Sequence, residues 1–373
     1  MQMASPTRAI VDLAAYSHNL SVVQRLIPRN CAIQAVVKAD GYGHGAIPVA
    51  RRAVEYGVEM LGVATVNEGI ALREAGITAP ILVLGQPPPD GLIAAVVHDL
   101  RLMISDTSAA ERVGEHARRA NKVLPIHCKI DSGMGRQGFD IDSVTAELEY
   151  LTRISNIDIE GIATHFPVAD APDDDFTLNQ IRLFKQLLRQ LDKIGIPYET
   201  AHAANSAAII NYPTSAFDMV RPGLMTYGVW PTGNRPEGVA LHPALRWEAR
   251  ITLVKELEAG SSVGYGRTYK SENHMRAAVI PVGYADGYKY GLGNRADVLI
   301  RGKRCPVRGS VSMDQIVVDV SEVQNVSAGD TAVLVGTDGN EWISVEELAE
   351  RAQTVPYDIL TGIGPRVERV YVN

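Results

Sequence analysis

Short apolar runs rich in Val and Ile recur along the first two-thirds of the chain. Each is followed by a polar or glycine-bearing turn and then by a stretch with helical spacing. The runs are "AIQAVVKA", "EMLGVATV", "PILVLGQ", "LRLMISD", "LPIHCKID", "DIEGIATHF", "ETAHAANS" and "FDMVRPG". Between them lie amphipathic segments such as "AIPVARRAVEYG", "VNEGIALREAG", "TSAAERVGEHARRAN" and "LNQIRLFKQLLRQLDKIG". Eight strands alternating with helices predict an α/β fold with parallel strands closed into a (β/α)8 barrel, over residues 1–242. An open doubly wound sheet is the alternative, because periodicity alone does not show closure. After about Trp247 the texture changes. "EARITLVKEL", "RAAVIPVGYA", "DVLIRGKRCPVRG", "DQIVVDVS" and "DTAVLVG" are strand-like, with little helix before "SVEELAERAQ". This predicts a second, mostly β domain over 243–373, with which the first few residues of the chain are expected to pair.

Composition narrows the function. The chain has 373 residues, 46% hydrophobic and 21% charged, as in ordinary soluble globular proteins. A net charge of -7 and the lack of a basic run argue against a nucleic-acid partner. The best candidate for a membrane span, "GLIAAVVHDLRLMIS", is broken by His98, Asp99 and Arg101. The amino terminus "MQMASPTRAIVDL" lacks the apolar core of a signal peptide, so a cytoplasmic location is expected. Cys31, Cys128 and Cys305 form no CxxC pair and no zinc-like spacing. They are read as small buried hydrophobes in a reducing compartment, and no metal site is expected. The acidic "DAPDDDF" is read as a solvated loop.

Chemistry collects at the carboxyl ends of the barrel strands, where such folds place their active sites. The first strand delivers Lys38, the fifth Lys129, the sixth His165, the seventh Asn205 and Ser206, and the eighth Arg221. Arg136 follows in the loop after the fifth. Any one of these is explained as a surface residue; a convergent set is harder to dismiss. Asn205-Ser206 precedes a short helix, where Ser is a good N-cap, and Gly223-Leu224 follows the eighth strand. Barrels often bind phosphate with the loops after strands seven and eight. A phosphate-bearing cofactor and a buried strand-end lysine suggest a Schiff base, and pyridoxal 5'-phosphate pairs the required phosphate with an aldehyde. The glycines of "DSGMGRQGF" match a dinucleotide fingerprint only weakly, since an arginine fills the turn and the unit is the fifth of the series.

The segments "AVVKADGYGHG", "DSGMGRQGF", "THFPVAD", "NSAA", "VRPGLMTYG", "SVGYGRTY", "PVGYADGY", "SVSMDQ" and "VPYDILTGI" together resemble the alanine racemase family, in the family's order from about Arg8 to the carboxyl terminus. The resemblance implies a pyridoxal phosphate enzyme of barrel plus β-domain that interconverts L- and D-alanine, supplying D-alanine for peptidoglycan. It implies that Lys38 carries the cofactor and that Lys38 and Tyr265 are the two catalytic acid/bases. Tyr42, Ser206, Gly223, Leu224 and Tyr357 would bind the phosphate. Arg221 would face the pyridine nitrogen, supported by His165, and Asn205 is counted with the cofactor-binding set. Arg136 would reach the phenolic oxygen and the substrate, and Lys129 is the residue that the family commonly carries carbamylated to orient that arginine. Met313 would lie near the substrate carboxylate, with Asp170, Tyr284 and Ser310 along the access channel. A head-to-tail homodimer is implied, in which the β-domain of one subunit covers the barrel mouth of the other.

The chain departs from the family at Ser310, where arginine is usual, and at Pro167 and Val168 beside the channel. A broader-range amino acid racemase, acting on serine or another residue, is therefore the alternative. A pyridoxal-binding protein without catalysis would share Lys38 but would not need Tyr265. A fold-related decarboxylase would carry three consecutive glycines at the phosphate loop, which are absent. A nicotinamide dehydrogenase would rest on the weak glycine match alone.

Overall fold

In a computed structural model of the chain the described residues are 5–172 and 174–373; residues 1–4, and Asp173 of the acidic loop, lie outside them. The chain forms two compact units. One comprises residues 17–41 and 46–241, the other 5–16, 42–45 and 242–373.

The chain opens with β1 (Thr7–Asp12), which belongs to the second unit. The first unit is built on β2 (Ala32–Val36), β3 (Met60–Val63), β4 (Ile81–Val83), β5 (Arg101–Ile104) and β6 (Leu124–Asp131). After the short β7 (Phe139–Asp140) come β8 (Ile157–Ala163), β9 (Thr200–Asn205) and β10 (Met219–Arg221). Apart from β7, these strands of the first unit are the eight runs read from the sequence. Each pairs in parallel with the next, and β10 pairs with β2, which closes the barrel and excludes the open sheet. All positions of β3 and β4 are buried, as expected of strands covered on both faces. Met60, Leu82, Met103, Ala163 and Met219 form a buried cluster with Ala32 and Leu84 packed against it.

The helices between strands start and stop where local chemistry dictates. Asp174 caps the helix Asp175–Ile194 by accepting from the Phe176 N–H, and Gly195 ends it at φ 78, a left-handed conformation that glycine tolerates. The acidic run is thus partly a helix cap. Ile181, Phe184, Leu188 and Leu191 form the helix's buried stripe at three- and four-residue spacing, each contributing about 1.5–3 kcal/mol by burial.

The second unit adds β11 (Leu245–Arg250), β12 (Leu253–Leu257), β13 (Ser262–Val263), β14 (Tyr269–Lys270), β15 (Met275–Ile280), β16 (Asp297–Ile300) and β17 (Lys303–Arg308). β18 (Ile316–Asp319), β19 (Thr331–Asp338), β20 (Glu341–Ile343) and β21 (Glu368–Val372) complete it. β1 lies between β11, antiparallel, and β21, parallel. Two runs read as single strands are each two. "EARITLVKEL" changes partners after Arg250, since β11 pairs with β19 and β12 with β15. "DVLIRGKRCPVRG" folds back at Arg301 (φ 51) and Gly302 (φ 74), a two-residue hairpin turn whose positive φ values match strand twist. Helix Val345–Ala352 follows the expected pattern, capped by Ser344; helix Pro356–Gly362 was not foreseen as a helix.

The three cysteines are buried and unpaired, and burial pushes the thiols of Cys31 and Cys305 up to about 12. No helix among the described residues is long and apolar enough to cross a membrane.

Candidate active site

The glycines after Lys38 have a backbone cause. Ala39, Asp40 and Gly41 adopt left-handed dihedrals (φ 53, 53 and 59), and Tyr42 does so at φ 52. Such angles cost a residue with a Cβ roughly 1–2 kcal/mol. Anchors hold the turn: Asp40 Oδ1 accepts from the Ala46 N–H at 2.8 Å, and Glu68 Oε1 accepts from the Ala39 N–H at 2.7 Å. At Gly43 a Cβ would lie 2.1 Å from the Leu360 carbonyl oxygen, so only glycine fits. Strain concentrated this way is typical of functional sites. Lys38, at the head of the turn, is half-buried. Burial and then the Arg136 guanidinium lower its pKa, Glu68 partly opposes them, and Arg221 adds to the lowering.

Lys129, two residues before the end of β6, is only 5% exposed. Burial, Arg221 and Arg136 hold its amine well below the ordinary lysine range, against the pull of Asp131. Asp131 also disposes of the dinucleotide reading. Its Oδ1 accepts from the N–H groups of Gly133, Met134 and Gly135 at 2.9, 2.8 and 3.2 Å. The amides that would cradle a pyrophosphate are spent on that carboxylate, and the loop presents Arg136, exposed, instead.

Arg221, the last residue of β10, is buried, and burial lowers its pKa to about 10, still a cation at neutral pH. It donates to His202 Nδ1 at 2.6 Å, to the carbonyls of Thr164 and Ala203 at 2.7 and 2.8 Å, and approaches His165 Nδ1 at 3.2 Å. His165 is held well below its usual value by burial, then by Arg221, Lys129, Arg136 and Lys38. His202 went unnoticed in the sequence, as did its neighbour His127. The available signal was period two: His127 shares a strand face with Lys129.

Asn205, not Ser206, is the N-cap of helix Ser206–Asn211: its Oδ1 accepts from the Ala208 N–H at 3.0 Å, and its Nδ2 donates to the Phe166 carbonyl. The expected serine cap is corrected because Ser206 already has helical geometry and turns its hydroxyl toward the next loop. There Ser206 Oγ accepts from the N–H groups of Gly223 (2.9 Å) and Met225 (3.3 Å). That ties Gly223 and Leu224 to the helix start. The hydroxyl proton of this buried serine has no acceptor among the described residues. Asp170 is exposed, in the loop after β8.

The remaining candidates belong to the second unit. Tyr42 and Tyr357 stack obliquely, ring centroids 6.0 Å apart, and burial followed by Tyr357 and Tyr16 raises the Tyr42 phenol. Tyr265 sits on a one-turn helix after Gly264 (φ 68) and is 77% exposed. Ser310 Oγ donates to the Tyr265 carbonyl at 3.0 Å, joining Tyr265 to the segment that carries Met313. Tyr284 and Ala285 in turn donate backbone N–H groups to the Ser312 and Met313 carbonyls. Tyr265, Tyr284, Ser310 and Met313 therefore lie on three interlocked loops.

Within the barrel, Arg136 and Arg221 are close enough to Lys38 and Lys129 to help lower both amines, yet none of the four has a carboxylate ion pair among the described residues. Such a cluster fits an anionic ligand that carries its own charges. With a lysine of lowered pKa and a serine hydroxyl free to donate beside Gly223, it fits a phosphorylated aldehyde. Fold and site thus define the class of barrel enzymes that use pyridoxal phosphate.

Comparison with known proteins narrows the class. Residues 11–231 match the description "Alanine racemase, N-terminal domain" and residues 244–371 "Alanine racemase, C-terminal domain". The chain is 41% identical to the alanine racemase of Halothermothrix orenii, covering 100% of this chain and 98% of that one. It is 43% identical to that of Symbiobacterium thermophilum, covering 98% and 97%. Among solved structures, alanine racemase from Clostridium difficile 630 superposes with a TM-score of 0.95 at 34% identity, covering 100% and 97%. The enzyme from Bartonella henselae with covalently bound pyridoxal phosphate does so with a TM-score of 0.89 at 27% identity, covering 99% and 100%. The chain belongs to the alanine racemase family.

Proposed function

We propose that this chain interconverts L- and D-alanine, with Lys38 and Tyr265 moving the α-proton on opposite faces of the substrate. The observation that carries the reading is the lowered amine of Lys38 in a barrel mouth of cations that form no carboxylate ion pair among the described residues, in a chain alike to alanine racemases over its whole length. Pyridoxal phosphate, when bound, delocalises the negative charge left at Cα. Lys38 anchors the cofactor and, as a neutral amine, accepts the α-proton of one enantiomer; Tyr265 returns a proton from the other face. The roles exchange in the reverse direction. The Ser206 hydroxyl, the Gly223–Leu224 backbone, Tyr42 and Tyr357 hold the phosphate. Arg221, with His165 beside it, addresses the ring nitrogen; Arg136 holds the phenolic oxygen and substrate, and Met313 lies by the substrate carboxylate.

Lys129 supports a further element of this reading. Burial that depresses the pKa of an amine favours its neutral form, the form that adds carbon dioxide to give a carbamate with loss of a proton, and the resulting anion would orient Arg136. A tyrosine base needs cationic, water-poor surroundings, whereas Tyr265 is 77% exposed in its own chain. We therefore assign it to the barrel mouth of a second copy in a head-to-tail dimer, with Asp170, Tyr284 and Ser310 along the path to the site. Reduced, buried cysteines suit a cytoplasmic enzyme that supplies D-alanine for peptidoglycan.

The test is complementation. Lys38→Ala and Tyr265→Phe chains should each be inactive as homodimers. Co-expressed in equal amounts, they should recover about a quarter of the parental activity, because half of the dimers hold one intact site. No recovery in isolated mixed dimers would sink the shared-site reading.

A further inference from the structure

A line of polar side chains runs through the barrel interior from the mouth toward the amino ends of the strands. Arg221 Nη1 meets His202 Nδ1 at 2.6 Å, His202 Nε2 meets His127 Nδ1 at 2.8 Å, and His127 Nε2 meets Glu160 Oε2 at 2.9 Å. Arg101, the first residue of β5, clamps the same Glu160 oxygen at 2.5 Å. We propose that Glu160, acting through His127 and His202, positions Arg221 and serves as its remote counter-charge.

The direction of the line follows from its ends. Arginine has no acceptor, so His202 Nδ1 must accept and its proton sits on Nε2. That proton is donated to His127 Nδ1, which leaves the His127 proton on Nε2, donated to the carboxylate. Every link is satisfied only when both imidazoles are neutral and Glu160 is ionised. The surroundings agree. Burial holds His127 below its usual value although Glu160 opposes it, and burial followed by Arg221, His127 and Lys129 holds His202 well below. Burial alone would raise Glu160, but His127 and Arg101 hold it at about 2. Arg221, which forms no direct ion pair among the described residues, thus reaches a negative charge through two rings, and the chain of bonds polarises cooperatively in the dry interior.

The fold reserves space for this line. A Cβ on Gly161 would lie 2.2 Å from His127 Nδ1, so only glycine there admits the imidazole. The β6–β8 register shifts between Ile126 and His127, and the β9–β10 register shifts between Met219 and Arg221. Such irregularities re-aim side chains, and here they occur beside His127 and beside Arg221, two members of the line. His127 and His202 also meet edge to face, ring centroids 5.0 Å apart. Glu160 and Arg101 act only through other residues, so they are positioning residues and do not touch the reacting atoms.

The structural part of this inference needs no cofactor; its catalytic consequence rests on the placement of Arg221 at the ring nitrogen proposed above. The first measurement is ¹⁵N NMR of the histidine rings in cofactor-free protein. Each of His127 and His202 should show one protonated and one bare nitrogen at neutral pH. Glu160→Gln should move the His202 signals although it does not touch that ring, and Arg101→Gln, which unmasks the carboxylate, should move them the opposite way. If Glu160→Gln does not fold, Arg101→Gln alone still tests the line. Shifts of the same sense in both variants, or none at His202 in whichever folds, would overturn it. The second measurement is kinetic, on the holoenzyme. Glu160→Gln should lower kcat about 5- to 10-fold with KM nearly unchanged, within the range of coupling between linked sites, and should cost nothing further in an Arg221→Lys background. Equal losses in both backgrounds would mean that Glu160 does not act through Arg221. NMR shifts as expected without any change in kcat would instead overturn the placement of Arg221 at the ring.

Discussion

Replacing Gly283 with alanine should damage the second unit and displace the segment that carries Met313. A Cβ at this position would lie 2.2 Å from the Ser312 carbonyl oxygen and 2.3 Å from that of Met313. Both obstacles are backbone, so no side-chain rotation relieves them. The two strands of chain must part by about 1 Å to reach ordinary contact. Overpacking of this kind costs about 1–3 kcal/mol. The separation also stretches the bonds from the Tyr284 N–H to the Ser312 carbonyl (3.1 Å) and from the Ala285 N–H to the Met313 carbonyl (3.0 Å). Two hydrogen bonds at about 1 kcal/mol each bring the expected cost to about 3–5 kcal/mol. For a unit of this size that lowers Tm by roughly 6–20 °C. Displacing Met313 and Tyr284 should raise the KM for alanine more than it lowers kcat. Calorimetry and steady-state kinetics in both directions check this. A Tm within about 2 °C of the parent would mean that the close approach does not constrain the chain, and the reasoning fails.

Other expectations are briefer. Lys38→Ala should abolish the visible absorption of covalently held cofactor and lower activity at least about 10³-fold; a retained band would remove Lys38 from its role. The Lys129 pKa is depressed in the fold, so between that value and about 10.4 the unfolded chain binds more protons, and stability should rise with pH by up to about 1.4 kcal/mol per unit from this group. Lys129→Met should flatten that rise in urea unfolding of cofactor-free protein kept free of carbon dioxide, so that Lys129 stays an amine, between pH 7 and 10, and an unchanged slope would contradict the assignment. Ser310→Ala removes the bond to the Tyr265 carbonyl, worth about 1 kcal/mol, and should cost about fivefold in kcat/KM, with Ser310→Thr restoring most of it. If Ser310→Ala is neutral, the exposed bond does not hold Tyr265.

Much of the candidate site could be read along the chain because barrel geometry converts position into location. A residue at the carboxyl end of a parallel strand lies toward the mouth whatever its neighbours are, and Lys38, Lys129, His165, Ser206 and Arg221 were singled out as candidates by that rule. The cap at Asn205 was misplaced by one residue, since cap and first helical residue differ only in backbone dihedrals that Asn and Ser both tolerate. Along the chain Ser310 reads as a departure that bears on substrate range; the structure adds its bond to the Tyr265 carbonyl, which no spacing in the sequence indicates.

By itself the sequence determined the alternation of strand and helix, the eight barrel strands, and the lysine and glycines of the first strand's end. These depend on residue spacing and on backbone preferences that act over a few residues. Tertiary structure decided the rest. It chose Leu245–Arg250 and Glu368–Val372 as the strands that flank Thr7–Asp12, where the sequence had led only to the expectation of a pairing with the second domain, and it made residues 42–45 part of the second unit. It also joined His127 to His202, 75 residues apart, and through them Arg221 to Glu160. Those pairings depend on register between strands distant in sequence and on the room left by a glycine opposite a ring, and hydrophobic periodicity carries neither.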